Sequence, residues 1–204
     1  MAMSESQKKP PARSTVFNLP NQLTSLRLIL AIVMFGFITW EYYLVSMVLF
    51  VVAAGTDWLD GYYARKYGQV TTLGRILDPF ADKVIICGTF IFLVSIPRMT
   101  AEAWGLQAWM VVVIVGRELL VTALRSFIEQ RGSDFSAKWS GKWKMLLQCI
   151  AAGAGLLFLS HAESTAPAWL RYLLIGSIWS AVLLTAYSGV GYVLAAIRLL
   201  RQER

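Results

Sequence analysis

The sequence predicts an all-α integral membrane protein, with six transmembrane helices preceded by a short interfacial amphipathic helix. Three observations predict it. The 204 residues are 57% hydrophobic and only 15% charged, where a soluble domain carries about 25% charged residues. Six apolar runs approach or exceed the roughly 20 residues that a helix needs to cross a bilayer. The basic residues fall almost entirely on one side of the plan that those runs define.

Residues 1–16 are polar and contain Lys8, Lys9, Pro10, Pro11 and Arg13. They read as a disordered basic tail, and residues 17–204 as one membrane domain. No cleavable signal is expected, because the first apolar run starts late and lacks a small-residue cleavage site. Residues 17–27 mix apolar and polar positions. They are expected to lie in the membrane interface as an amphipathic helix, with Asn21 or Thr24 as its cap. The spans follow near residues 24–40, 42–64, 80–97, 105–128, 142–160 and 168–198. Span three is the shortest, and its start can be drawn back toward Asp78. Span six ends in RLLRQER and is expected to run past the membrane.

Charge sets the orientation. Both termini, the 65–83 region and the 117–144 region share one side, which holds all of the 19 Lys and Arg residues except Arg98 and Arg171. Glu41, Glu102 and Glu163 mark the three opposite turns. By the positive-inside rule both termini are cytoplasmic, and an even number of spans agrees. The net charge of +7 is explained by this topology, so no nucleic-acid partner is expected. Trp40, Trp104, Trp109 and Trp169 fall near span ends and read as interface anchors, whereas Trp58 reads as packing. Cys87 and Cys149 each lie in an apolar run and read as packing residues. His161, the single histidine, reads as a solvated loop residue, and one histidine with two scattered cysteines makes no zinc site.

Against this background Asp57, Asp60, Asp78 and Asp82 stand out, because charge at membrane depth is expensive and tends to mark function. Residues 42–56 carry no charge and cover roughly 22 Å as a helix, which puts Asp57 and Asp60 toward the cytoplasmic end of span two. Asp78 and Asp82 open span three on the same side. The i,i+3 and i,i+4 spacings place each pair on one helix face, so two facing helices can bring four carboxylates to one pocket. Four close carboxylates raise one another's pKa unless cations compensate. Arg65, Arg75 and Lys83 are near in sequence, but oxygen-only ligation suits two divalent cations, Mg²⁺ or Mn²⁺, which together would use all four carboxylates and clamp a phosphate. The plain alternative is an acidic turn balanced by its basic neighbours. Gly61 and Ala64 leave room for a ligand beside the helix, or serve helix packing, and Arg65 can bind phosphate.

The full pattern is Asp57-x2-Asp60-Gly61-x2-Ala64-Arg65-x8-Gly74-x3-Asp78-x3-Asp82. It resembles the signature of the CDP-alcohol phosphatidyltransferases at all eight fixed positions. The six-span plan fits that family over the whole chain after the tail. Three weaker stretches resemble bacterial phosphatidylglycerophosphate synthases in the expected order: Asn18 to Arg27, Gly116-Arg117-Glu118 through Arg125, and Gly141-Lys142-x-Lys144.

The resemblance implies transfer of the phosphatidyl group from CDP-diacylglycerol to sn-glycerol 3-phosphate, releasing CMP. It implies a multi-pass protein of the bacterial inner membrane with a cytoplasmic active site, working as a homodimer. Asp57, Asp60, Asp78 and Asp82 would be metal ligands, and Asp82 also the catalytic base on the acceptor hydroxyl. Gly61, Ala64, Arg65, Thr71 and Gly74 would surround the cytidine and its phosphates, with Asn21, Thr24 and Arg27 closing that pocket. Arg117, Arg125, Lys142 and Lys144 are the candidates for the acceptor's phosphate, and as plain alternatives they are positive-inside anchors. A direct pair between Arg117 and Glu118 is not expected, since adjacent residues do not share a helix face. Other acceptors within the family are phosphatidylglycerol (a cardiolipin synthase), an inositol phosphate and serine. An intramembrane prenyltransferase also pairs acidic motifs with Mg²⁺, but it needs more spans. A transporter has no need of the Ala64-Arg65-x8-Gly74 element, and no internal repeat supports one.

Overall fold

A computed structural model describes residues 19–67, 72–130, 139–162 and 164–202. Among the described residues seven helices form in chain order: α1 Leu19–Thr39, α2 Tyr43–Tyr67, α3 Thr72–Val94, α4 Pro97–Thr100, α5 Ala108–Gln130, α6 Trp139–Ser160 and α7 Ala168–Gln202. No strand occurs among the described residues. The six long helices coincide with the six apolar runs. The expected tail and Glu163 lie outside the described residues.

Three local expectations are corrected. Among the described residues no separate amphipathic helix precedes the first span, because α1 runs unbroken from Leu19 to Thr39. Pro20 sits in its first turn, where a missing N–H costs nothing, and no glycine or proline interrupts the chain again before Gly36. Asn21 and Thr24 therefore lie inside α1 rather than at the residue before it. The third helix starts at Thr72 rather than near residue 80, with Pro79 inside it. Pro79 removes the backbone hydrogen bond from residue 79 to residue 75, and its exposure spares neighbouring helices from its ring. His161 is half-buried rather than solvated: its Nδ1 lies 2.8 Å from the Leu157 carbonyl, and its own carbonyl accepts from Arg98 Nη1 at 2.6 Å.

Gln22–Thr39, Trp143–Ser160 and Ala168–Leu194 are apolar stretches long enough to cross a membrane, and Tyr43–Thr56 is a shorter one. Large apolar side chains face outward on every long helix, among them Ile32, Val48, Ile91, Val112, Ile150 and Leu183. Apolar surface on that scale marks a lipid or protein surround.

The α1–α2 corner shows how the chain reverses. Glu41 adopts φ 63°, a left-handed conformation that glycine usually supplies. The Glu41 N–H donates to the Ile38 carbonyl at 3.0 Å, and the Tyr42 N–H to the Phe37 carbonyl at 2.9 Å. This is the Schellman hydrogen-bond pattern, and its usual apolar contact is supplied by the Phe37 and Tyr42 rings, 6.1 Å apart and edge-on. The Phe37 and Ile38 carbonyls at the end of α1 are thereby satisfied, and α2 returns antiparallel to α1.

Helix directions follow from paired contacts. Arg27 meets Asp82, and farther along the same two helices Phe35 stacks on Phe92 with ring centroids 4.9 Å apart. So α1 and α3 run parallel. Gly88 makes that register possible, since a Cβ there would lie 2.2 Å from the Phe35 ring. In the other half, Trp109 meets Trp179 and Arg117 meets Ser188, which makes α5 and α7 parallel. α6 returns against α7, with Gln148 donating to Thr185 at 3.2 Å. The result is an up-down bundle. The start of α1, the end of α2, the start of α3, the end of α5, the start of α6 and the end of α7 share one end, here the polar end. The connections 40–42, 95–107 and 161–167 form the turn end. Trp40, Trp104, Trp109 and Trp169 all lie exposed at the turn end, as interface anchors would. Cys87 is buried and Cys149 half-buried.

Candidate active site

The backbone register of α2 and α3 sets the levels of the four aspartates. Asp57 stands ten residues before the end of α2, and Asp82 ten residues after the start of α3. Each is therefore about 15 Å from its helix terminus. Asp60 and Asp78 are about 10 Å from the same termini. The two helices pack together and run antiparallel, and only four residues separate Tyr67 from Thr72. The two pairs thus stand at matching heights. The side chains of Asp57, Asp60, Arg65 and Asp78 lie outside the described part of the structure, as do those of Asn21 and Lys142. Thr71 lies outside it altogether. Gly61, Ala64 and Gly74 are placed on helix backbone only. Among the described residues no group of three or more acidic, His or Cys side chains gathers.

Asp82 is described, and it is engaged. Arg27 Nη1 donates to Asp82 Oδ1 at 2.8 Å. Arg27 is 1% exposed and Asp82 28% exposed, so the pair joins a sealed guanidinium to a carboxylate that solvent can still reach. Thr24, one turn earlier on α1, is fully buried. Of the three residues expected to close the nucleotide pocket from the N-terminal segment, Thr24 and Arg27 therefore face the bundle interior, and Arg27 reaches a motif aspartate directly.

A second polar cluster joins α5, α6 and α7. Arg117 and Lys144 are both more than nine-tenths buried. Glu118 Oε1 accepts from Arg117 Nη1 at 3.4 Å and also from Lys144 Nζ. The expectation that Arg117 and Glu118 would not pair is corrected. Their Cβ atoms do point apart, but both side chains are long enough for Arg117 Nη1 to meet Glu118 Oε1, which Lys144 Nζ also reaches from α6. Arg117 Nε donates to Ser188 Oγ at 3.1 Å, and its guanidinium lies 5.4 Å from the Tyr192 ring centre. Gly189 keeps α7 close, because a Cβ there would be 3.1 Å from Arg117 Cγ. Gln148 and Thr185 extend the network one turn deeper. α3, which carries Asp82, packs against both α5 and α6. The cluster therefore adjoins the helix that carries Asp82. Arg125 is half-buried two turns further along α5 toward the polar end.

Glu118, Ser188, Tyr192, Gln148 and Thr185 were not among the expected site residues. Glu118 had a signal, a carboxylate beside Arg117 in an apolar run. Ser188 had none, since a serine within a long apolar helix reads as a small packing residue.

These are the parts of a membrane-embedded transferase: an acidic pair on each of two helices, a buried arginine on one aspartate, and a second buried cationic site alongside. The model of the CDP-alcohol phosphatidyltransferase family matches residues 17–197, and the chain belongs to that family of enzymes. Among its relatives is the CDP-diacylglycerol–glycerol-3-phosphate 3-phosphatidyltransferase of Bacillus subtilis, 36% identical over 192 residues, covering 87% of this chain and 94% of the relative. The proteins of the same name from Haemophilus influenzae and Escherichia coli K12 are 34% and 32% identical, over 81% and 88% of this chain and 90% and 95% of their own lengths.

Proposed function

We propose that this protein transfers the phosphatidyl group of CDP-diacylglycerol to sn-glycerol 3-phosphate, giving phosphatidylglycerol phosphate and CMP in phospholipid biosynthesis. The observation that carries the reading is the likeness, over more than four-fifths of both chains, to relatives named for this reaction. The buried cationic cluster beside α3 supports it, because an acceptor that bears a phosphate needs such a partner and serine does not.

The donor set fits metal chemistry. The four aspartates belong to two adjacent helices at matching backbone levels, and hard oxygen ligands suit Mg²⁺ or Mn²⁺. Asp57, Asp60, Asp78 and Asp82 would hold two such ions, which when bound supply charge neutralisation at the diphosphate. Asp82 accepts the proton of the acceptor's hydroxyl as its oxygen bonds to the β-phosphorus and the bond to CMP breaks. Arg27 orients Asp82 through its 2.8 Å contact. Asn21, Thr24, Arg27, Gly61, Ala64, Arg65, Thr71 and Gly74 form the CDP-diacylglycerol site. Arg117, Arg125, Lys142 and Lys144 bind the acceptor's phosphate. All six long helices cross the bacterial inner membrane, with the polar end and both termini cytoplasmic. There, soluble acceptor and CMP exchange with a lipid-borne diphosphate. The working unit is a homodimer.

Purified protein given CDP-diacylglycerol, glycerol 3-phosphate and Mg²⁺ is expected to release CMP, and to stop when the acceptor is omitted. Release that ignores glycerol 3-phosphate but answers to phosphatidylglycerol, inositol phosphate or serine would overturn the acceptor assignment.

A further inference from the structure

The α5–α6–α7 cluster holds two buried cations on a single carboxylate oxygen. Arg117 and Lys144 both donate to Glu118 Oε1. Unshielded, two cations this close would repel and splay, and the shared carboxylate draws them together instead. Arg117 is fixed from further sides. Ser188 donates its hydroxyl hydrogen to the Thr185 carbonyl at 3.2 Å, which turns its lone pairs toward Arg117 Nε. Tyr192 lies under the guanidinium, and Gly189 bounds the aliphatic stem. Among the described residues of the cluster, two cations and one carboxylate leave one net positive charge in a buried setting, which calls for an anion.

We propose that Glu118 and Ser188 are positioning residues for the acceptor's phosphate. Glu118 sets the spacing of Arg117 and Lys144, and Ser188 fixes the rotation of the guanidinium. The two cations presented this way take a phosphate monoester. The inference rests on the glycerol-phosphate reading above and adds how its anion site is built. A cluster that only staples three helices together would predict something different: its loss would weaken the protein without singling out one substrate.

The test is the KM for each substrate, measured on the detergent-purified full chain for wild type, Glu118→Gln, Glu118→Asp and Ser188→Ala. Glu118→Gln is expected to raise the KM for glycerol 3-phosphate about tenfold or more, with the KM for CDP-diacylglycerol within about twofold. Glu118→Asp, which keeps the charge, is expected to recover part of that loss. Ser188→Ala removes one neutral hydrogen bond and is expected to raise the acceptor KM about threefold to tenfold. It decides the matter if Glu118→Gln does not fold. Unchanged acceptor KM values, or equal rises for both substrates, overturn the proposal. Wild-type protein that fails to use glycerol 3-phosphate overturns the substrate reading itself, a result distinct from variants that match an active wild type.

Discussion

The two ends of the bundle use the same residue types in opposite ways. At the turn end Arg171 pairs with Glu102, with 54% and 46% of the side chains exposed. Arg98 lies over the Phe158 ring and donates to the His161 carbonyl, tying one connection to another. At the polar end Arg27 is 1% exposed against Asp82, and Arg117 and Lys144 are sealed around Glu118. Exposed ion pairs contribute little to stability, whereas buried ones must overcome a desolvation penalty that packing alone could avoid. A chain that keeps five charged groups at the contacts of α1, α3, α5 and α6 forgoes the simpler apolar solution there. The difference teaches that the turn-end charges act as fastenings, while the polar-end charges, on the function proposed above, are retained for chemistry.

Substitutions can break or sharpen that contrast. The largest effect is expected at Asp82. Asp82→Asn keeps the shape but cannot take up the acceptor's proton, and CMP release should fall by about 10²–10⁴-fold. A variant with near wild-type turnover would remove Asp82 from the chemistry. Next comes Arg27→Met, which leaves a motif carboxylate beside an apolar side chain. It is expected to cost about 3–5 kcal/mol in denaturant unfolding if the carboxylate stays buried, and less to the extent that solvent reaches it. Activity should fall with it. An unchanged unfolding midpoint would mean that the Arg27–Asp82 contact contributes nothing to the fold. The smallest effect is expected at the turn end. Arg171→Gln should leave both CMP release and the thermal midpoint within error, and a clear loss of activity there would erase the distinction between the two ends.

How much of this was legible in the sequence depends on the length scale of the signal. The six long helices were readable because each is a long apolar run, and the charge bias ordered them. The start of α3 was missed because Gly74, Asp78 and Pro79 look like a helix boundary, while the helix in fact carries them all. The unbroken α1 was missed for a related reason: polar residues such as Thr24 and Arg27 suggested a surface segment, yet both are buried against the bundle. Asp82 and Arg27 were each singled out, but their contact joins residues 55 apart in sequence, and no local pattern encodes it. The Arg117–Glu118 pair was misjudged because the reasoning followed Cβ directions, and two long side chains can still bring their charged ends together. Ser188 lies 71 residues from Arg117 and becomes visible only once α5 and α7 are known to run side by side.

The central claim is that the buried charges of the polar end form an active site that joins a phosphorylated alcohol to a membrane-held donor. The most direct measurement follows labelled glycerol 3-phosphate into the organic-solvent-extractable lipid, with CDP-diacylglycerol vesicles as donor, for wild type, Asp82→Asn and Arg171→Gln. Label should appear in lipid with wild type and Arg171→Gln, in step with CMP, and be nearly absent with Asp82→Asn. Label that stays in the aqueous phase with wild type, or enters lipid equally well with Asp82→Asn, would contradict the account.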